Sequence, residues 1–154
     1  MIVDVFGIGD EQAMREALAI RTRVFVDEQG VPPDEEIDAH DRTDLEAVHA
    51  LVRPAPHAPA IGAGRYYLTS SSTVQIGRMA VLAEARGIGA GRLLLEALLR
   101  EAQRHGFEKA HLHAQTHARA FYIKAGFHDD GETMWDAGIL HQPMSRHLSS
   151  RPVV

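Results

Sequence analysis

The chain has no cysteine. That excludes disulfides, thiolate nucleophiles and cysteine-held metals, and it fits a reducing compartment. No stretch of about 20 apolar residues occurs, so no membrane-spanning helix is expected. The opening residues, MIVDVFGIGDEQ, carry no basic patch ahead of an apolar run, so no secretory leader is read there. These absences point to the cytoplasm, with no membrane partner. Basic residues are also short, 16 Lys and Arg against 21 Asp and Glu. The resulting net charge of −5 argues against nucleic acid as a partner. What is present is ordinary for a globular chain: 154 residues, 45% apolar and 24% charged. That length predicts one domain over residues 1–154 with a core of its own.

Charge is unevenly placed. Between Asp27 and Glu46 there are nine acidic residues and a single arginine, Arg42. This stretch reads either as a solvated loop or as a surface that attracts cations.

Hydrophobic patterning gives the element order. A first strand is predicted over Met1–Phe6. Asp10 caps a helix that reaches Phe25 or Val26, where Gly30, Pro32 and Pro33 end it. The acidic stretch is loop with room for one helical turn. Strands follow at Glu46–Arg53, Ile61–Leu68 and Val74–Val81. A helix from Gly89 to His105 places Leu93, Leu94, Ala97, Leu98 and Ala102 on one face, and Gly106 closes it. Then come a strand at Lys109–Ala114, a short helix at His117–Lys124, and two closing strands about a turn near Asp136–Gly138. A strand–helix–strand unit requires local parallel pairing, and the meander before it is antiparallel. A mixed sheet with helices on both faces is expected.

The turn between strand and helix, ARGIGAGR, carries the strongest chemical signal. Glycines in the first turn of a helix let a ligand approach the backbone. Free amides and the helix dipole then favour an anion such as phosphate. A P-loop is excluded, because Gly91 is followed by Arg92 and Leu93 rather than by Lys and Ser or Thr. The dinucleotide fingerprint fails too, since Gly91 arrives one residue early and no acidic residue is well placed on the next strand. A third pattern, Gln or Arg, two residues, Gly, one residue, Gly or Ala, is met by Arg86, Gly89 and Gly91. On its own this turn could also be a helix start that merely packs tightly.

Arg86-x-x-Gly89-x-Gly91 resembles the coenzyme A pyrophosphate loop of the GNAT acetyltransferase superfamily. Two further segments resemble it as well: HLHAQTHARAFYIKAGF, from His111, and IRTRVFVDEQGVPPDEEIDAHD, from Ile20. The latter, with GETMWDAGILHQPM from Gly131, is similar to the ElaA-like branch, and the segments stand in the family's order. The resemblance implies a GNAT fold: α/β/α layers with a mixed, mostly antiparallel central sheet. It implies an acetyl-CoA-dependent N-acetyltransferase. Pyrophosphate contacts fall to Arg86, Gly87, Ile88, Gly89, Ala90, Gly91 and Arg92. The pantetheine arm would lie along Met79, Ala80 and Val81, with Gln115 and Phe121 near it.

Tyr122 matches the tyrosine that protonates the departing thiolate, and a phenol has suitable basicity for that. Its alternative is plain packing beside Phe121. The base is expected to be Glu28 or His141, or a water chain. Glu28, Asp38 and Asp41 are expected at the acceptor. That acceptor is a small-molecule or peptide amine, and the acidic stretch favours a cationic one. The main alternative is an acyl-CoA-binding sensor with the same fold and no turnover. His111 and His113 could offer two metal ligands, short of the three or four a site needs, so no metal is expected. A homodimer is possible for this superfamily.

Overall fold

Capping and alternation set the first elements. The computed structural model describes residues 1–148. Strand β1 (Ile2–Phe6) leads to helix α1 (Glu11–Arg21), capped where the Asp10 carboxylate accepts from the Ala13 amide at 3.1 Å. The helix does not stop at Phe25 or Val26. It widens into a π-helical segment, Thr22–Glu28, and Gly30, at φ 75°, lies just beyond its end. Pro33 then opens α2 (Pro33–Glu36), where its missing amide proton is no loss. Helix α3 (Ala39–Arg42) starts from a capping box between Asp38 and Asp41. The acidic stretch therefore holds two short helices, not a loop with one turn.

Strands β2 (Val48–Arg53), β3 (Gly62–Leu68) and β4 (Thr73–Val81) follow, then α4 (Ala90–Arg104), β5 (Lys109–Gln115) and α5 (Arg119–Lys124). Strands β6 (His128–Asp129), β7 (Met134–Asp136) and β8 (Ile139–His147) complete the sheet. There are three closing strands where two were expected, because β6 is too short to show a period-2 pattern. The β7–β8 turn is Ala137-Gly138, both at positive φ, 50° and 75°. That is the backbone a two-residue hairpin favours.

The sheet order is β1-β2-β3-β4-β5-β8-β6, with β7 paired to β8. Only β4 and β5 run parallel; every other pairing is antiparallel. Alternation splits the side chains between two faces. Ala50, Val52, Val74 and Ile76 pack with α4, while Leu51, Ala63 and Ala80 pack with Ala17, Ile20 and Val24 of α1 and its extension. Helices thus cover both faces. The buried side of α4 is Leu94, Leu95, Leu98, Leu99 and Ala102, rotated from the expected face, with Leu93 and Ala97 only partly covered. A leucine run offers two equally apolar stripes, so periodicity alone does not choose between them.

Two irregularities shape the centre. Strands β4 and β5 pair only from Thr73↔Lys109 to Ile76↔Leu112, and then they part. Just beyond, β4 bulges: Gly77 pairs with Arg65 and Ala80 with Ala63, leaving one extra residue on β4. Arg78 in this bulge sits at φ 51°. Gly64 lies opposite, and a Cβ there would stand 2.5 Å from the Met79 sulfur. A glycine at position 64 is what lets Met79 fold under the bulge.

A buried ionic network holds the bulge to α1 and the acidic segment. Arg21, 1% exposed, donates from Nε to Glu36 at 2.6 Å and from Nη1 and Nη2 to Asp41 at 2.7 and 2.9 Å. Arg65 bridges Asp38 and Asp41, and Arg78 reaches Glu36 at 3.0 Å. Burial alone would raise the Asp41 carboxyl. The bonds and charges of Arg21 and Arg65 outweigh it and hold the group below the ordinary carboxylate range.

Arg21→Met should therefore leave Glu36 to Arg78 alone and Asp41 to Arg65 alone, and lower stability by about 3–5 kcal/mol in urea unfolding. The pH dependence has a definite sign. A depressed Asp41 contributes its full stability above the unfolded-state pKa of about 3.9 and loses it as pH falls toward the folded value. The parent should weaken below that pH, and Asp41→Asn should flatten the curve there. An unchanged urea midpoint for Arg21→Met would show the network to be energetically neutral.

Candidate functional site

The glycine turn has the local geometry of an anion cradle. Gly87 and Gly89 sit at φ 86° and 90°, where a side chain would be strained. Gly89 is the N-cap of α4, and Leu93 is the first residue of the helix start to donate back, to the Gly89 carbonyl. Among the described residues no carbonyl or side chain accepts from the amides of Ile88 to Arg92. Gly89 to Arg92 and the positive end of a four-turn helix border a cleft of about 890 Å³. Its walls include Val81, Arg86, Gly91, Arg92, Phe121 and Lys124. Gly87, Gly89 and Ala90 line it as well. Ile88 is 58% exposed and lines neither this cleft nor the next.

A second cleft, about 690 Å³, opens where β4 and β5 part. Met79, Ala80 and Val81 form one wall, with Gln115 and Tyr122 opposite. Val81 and Arg86 line both clefts, so the two are contiguous.

Tyr122 is 8% exposed, its ring edge-on to Phe121 and Phe127. Its hydroxyl has no hydrogen-bond partner among the described residues, and burial pushes its pKa up to about 12. It is a held, protonated phenol at the cleft wall. Gln115 and Gln29 exchange reciprocal side-chain bonds of 2.8 and 3.1 Å, tying the end of β5 to the π-helical extension of α1.

The expected acceptor-side residues separate. Glu28 lines the cleft, but both its oxygens bond to Arg86, at 2.9 and 2.8 Å. Arg86 holds its carboxyl below the ordinary range, against a smaller upward push from burial. His141 also lines the cleft and donates from Nδ1 to the Ile139 carbonyl at 2.8 Å, which leaves Nε2 as the acceptor. Asp38 reaches the cleft while paired with Arg65. Asp41 does not: its side chain is fully covered and lies beneath the site.

Four carboxylates of the acidic stretch, Glu28, Glu36, Asp38 and Asp41, pair with arginines from outside it. Asp44 bonds to His40 at 2.7 Å. Pattern reading missed Arg65 and Arg78, whose positions depend on a bulge without a sequence signature. It also missed Asp136 and weighed His113 only as a metal ligand. Period 2 along β5 could have found His113, because it shares a face with Gln115. Among the described residues no group of three or more His, Asp and Glu is placed to hold a metal ion, and no helix is long and apolar enough to cross a membrane.

The glycine turn at the start of α4 thus adjoins a cleft between parted parallel strands. Residues 46–148 match the family described as Acetyltransferase (GNAT) domain. The uncharacterized N-acetyltransferase YjcF of Bacillus subtilis is 34% identical over 89% of this chain and 94% of its own length. Escherichia coli ElaA superposes with a TM-score of 0.81 at 26% identity, over 94% of this chain and 98% of that one. An aminoglycoside 6′-N-acetyltransferase complexed with coenzyme A shares the fold at a TM-score of 0.75 and 14% identity, each chain 99% covered. The chain belongs to the GNAT acetyltransferase family and is an N-acetyltransferase.

Gly89→Val tests the cradle. The branched side chain occupies phosphate space, so coenzyme A binding should vanish in calorimetry. The left-handed backbone should also lower stability by about 1–2 kcal/mol. A variant that still folds and binds coenzyme A like the parent would remove the pyrophosphate from this turn.

Proposed function

We propose that the chain, as one domain over residues 1–154, moves the acetyl group of acetyl-CoA to a primary amine in the manner of the ElaA-like branch. The contiguity of the two clefts at Val81 and Arg86 carries this reading. A pyrophosphate on the glycine turn can extend its pantetheine arm along Met79, Ala80 and Val81, whose outer edge has no strand partner past Ile76. The arm then acts as an added strand. A main-chain amide there can bond the carbonyl oxygen as charge develops on it. Gln115 keeps one further amide proton and one lone pair for the pantetheine amides.

Transfer needs a neutral amine and a protonated leaving group. The nitrogen attacks the thioester carbon, the C–N bond forms and the C–S bond breaks. Tyr122 gives its proton to the sulfur and is refilled, through water, from the nitrogen. Burial keeps the phenol protonated throughout the working range but also makes it a weaker donor, so its proton moves only as negative charge develops on the sulfur. Of the two base candidates named from sequence, His141 has an open Nε2, whereas Glu28 must first leave Arg86. A cationic acceptor is supported by Glu35 and Asp136, cleft carboxylates with no ion-pair partner among the described residues.

Tyr122→Phe should lower kcat by about 10- to 10⁴-fold with near-normal acetyl-CoA affinity. Unchanged kcat would make Tyr122 a packing residue. In a salt series with the best amine of a panel, kcat/KM for a polycation should fall as exposed charges are screened within about 8 Å. Glu35→Gln should reduce that salt sensitivity and little else. Preference for neutral amines with no salt effect would remove the cationic acceptor.

A further inference from the structure

We propose that Asp136 and His113 form the amine subsite of this enzyme: Asp136 holds the incoming ammonium and His113 takes its proton. The proposal rests on the acetyl-transfer reading and deepens it.

Position comes first. The last paired residues of β4 and β5 are Ile76 and Leu112, so His113 is the first β5 residue past the parting. Continuing the register would set Gly77 beside it, and a Cβ on Gly77 would meet nothing within 4 Å. There is open space next to His113 at the level where the gap begins.

Orientation follows from alternation. Leu112 and Ala114 are buried in the α4-side core, which turns His111, His113 and Gln115 to the other face. The Nδ1 of His111 is tied to Gln75 at 2.9 Å, and Gln115 is tied to Gln29. Neither ring nitrogen of His113 has a hydrogen-bond partner among the described residues. His111 keeps an open Nε2 as well, but it does not line the cleft, whereas His113 does.

The surroundings favour its neutral form. His113 is exposed to the cleft, yet its partial burial lowers its pKa first and the neighbouring His141 ring lowers it further, while Asp136 opposes both without reversing the shift. His111 on its own strand is lowered too, by burial and by His113. Elsewhere around the cleft stand His117, Glu28, Glu35 and Asp38, with Arg65 and Arg78. The carboxylates Glu28 and Asp38 are already matched by arginines. Asp136 is not. It immediately precedes the Ala137-Gly138 turn, on an exposed strand end at the cleft rim, and its field reaches His113.

The step balances. An R–NH₃⁺ bound by Asp136 gives one proton to a ring nitrogen of His113, which becomes imidazolium. The R–NH₂ lone pair then attacks the thioester carbon, so that the C–N bond forms and the C–S bond breaks; the departing sulfur takes the Tyr122 proton, and the second proton of the nitrogen refills Tyr122 through water. His113 returns its proton to solvent after the amide leaves.

The test is steady-state kinetics with the best primary amine from a panel, across pH, on the parent and the variants His113→Gln, His113→Ala and Asp136→Asn. The parent should lose kcat on the acid side, with an apparent pKa below the ordinary histidine value of about 6.5. His113→Gln should lose about 10²- to 10³-fold in kcat and the acid limb with it, while coenzyme A affinity and melting temperature stay at parent values. Imidazole in the buffer should restore part of the rate of His113→Ala. Asp136→Asn should raise KM for the amine about tenfold, with kcat within about threefold of the parent. Active parent with His113→Gln within threefold of it, or with the acid limb intact, overturns this proposal alone. A parent that binds coenzyme A and acetylates no amine overturns the acetyl-transfer reading and this one with it.

Discussion

Strands β4 and β5 pair over four residue pairs and then separate, and both clefts exist because of that separation. A parallel pair would ordinarily run on, since unpaired strand edges in a protein interior are unfavourable. Here the continuation is blocked on one strand. The extra residue at the bulge, with Arg78 at φ 51°, turns β4 away from its neighbour. The bulge is held from one side by Met79 folded over Gly64, and from the other by Arg78 on Glu36. The exposed edge that results is a ready partner for an amide-bearing ligand.

The arginines explain why so acidic a segment can wall a site without repelling itself. Glu36, Asp38 and Asp41 would destabilise one another if they stood alone at this density. Arg21 comes from α1, Arg65 from β3 and Arg78 from β4, so the network joins three elements through one acidic stretch. Buried ion pairs are poor sources of net stability. Their effect here is geometric: they fix where the acidic segment stands relative to the sheet. The Nε of Arg65 is the one buried side-chain atom among the described residues left without a partner.

Local chemistry was legible in the sequence, and long-range geometry was not. The Asp10 cap, the glycine turn and the parallel unit around it depend on a few adjacent residues, and each reads directly. The mixed sheet follows from element order. Failures arose where the deciding contact is remote. Leu95 and Leu99, rather than Leu93 and Ala97, meet the sheet because β2 and β3 dictate the roll of α4. The widening of α1 after Arg21 has no propensity signal and coincides with the buried Arg21 pairs. The acidic stretch read as a solvated loop or a cation-attracting surface because the arginines that pair with it stand 15 to 58 residues away. Among candidate site residues, Tyr122 and the glycine turn were named from family-like segments, whereas Asp136 and His113 required knowing which strands flank the gap.

The two faces of the sheet divide the chemistry. On the α4 side the core is apolar, and Tyr122 is the group that brings a hydroxyl from that side to the gap. On the α1 side the face is polar, with Arg65, Tyr67, Gln75 and the histidines of β5 and β8. In the proposed transfer the acetyl carbon sits between them, with Tyr122 on one side and the amine on the other. The residues lining this cleft include no serine, threonine, cysteine or lysine. Direct passage of the acetyl group from sulfur to nitrogen, as proposed above, requires donor and acceptor to be bound at the same time, and the two clefts, which share Val81 and Arg86, offer room for both.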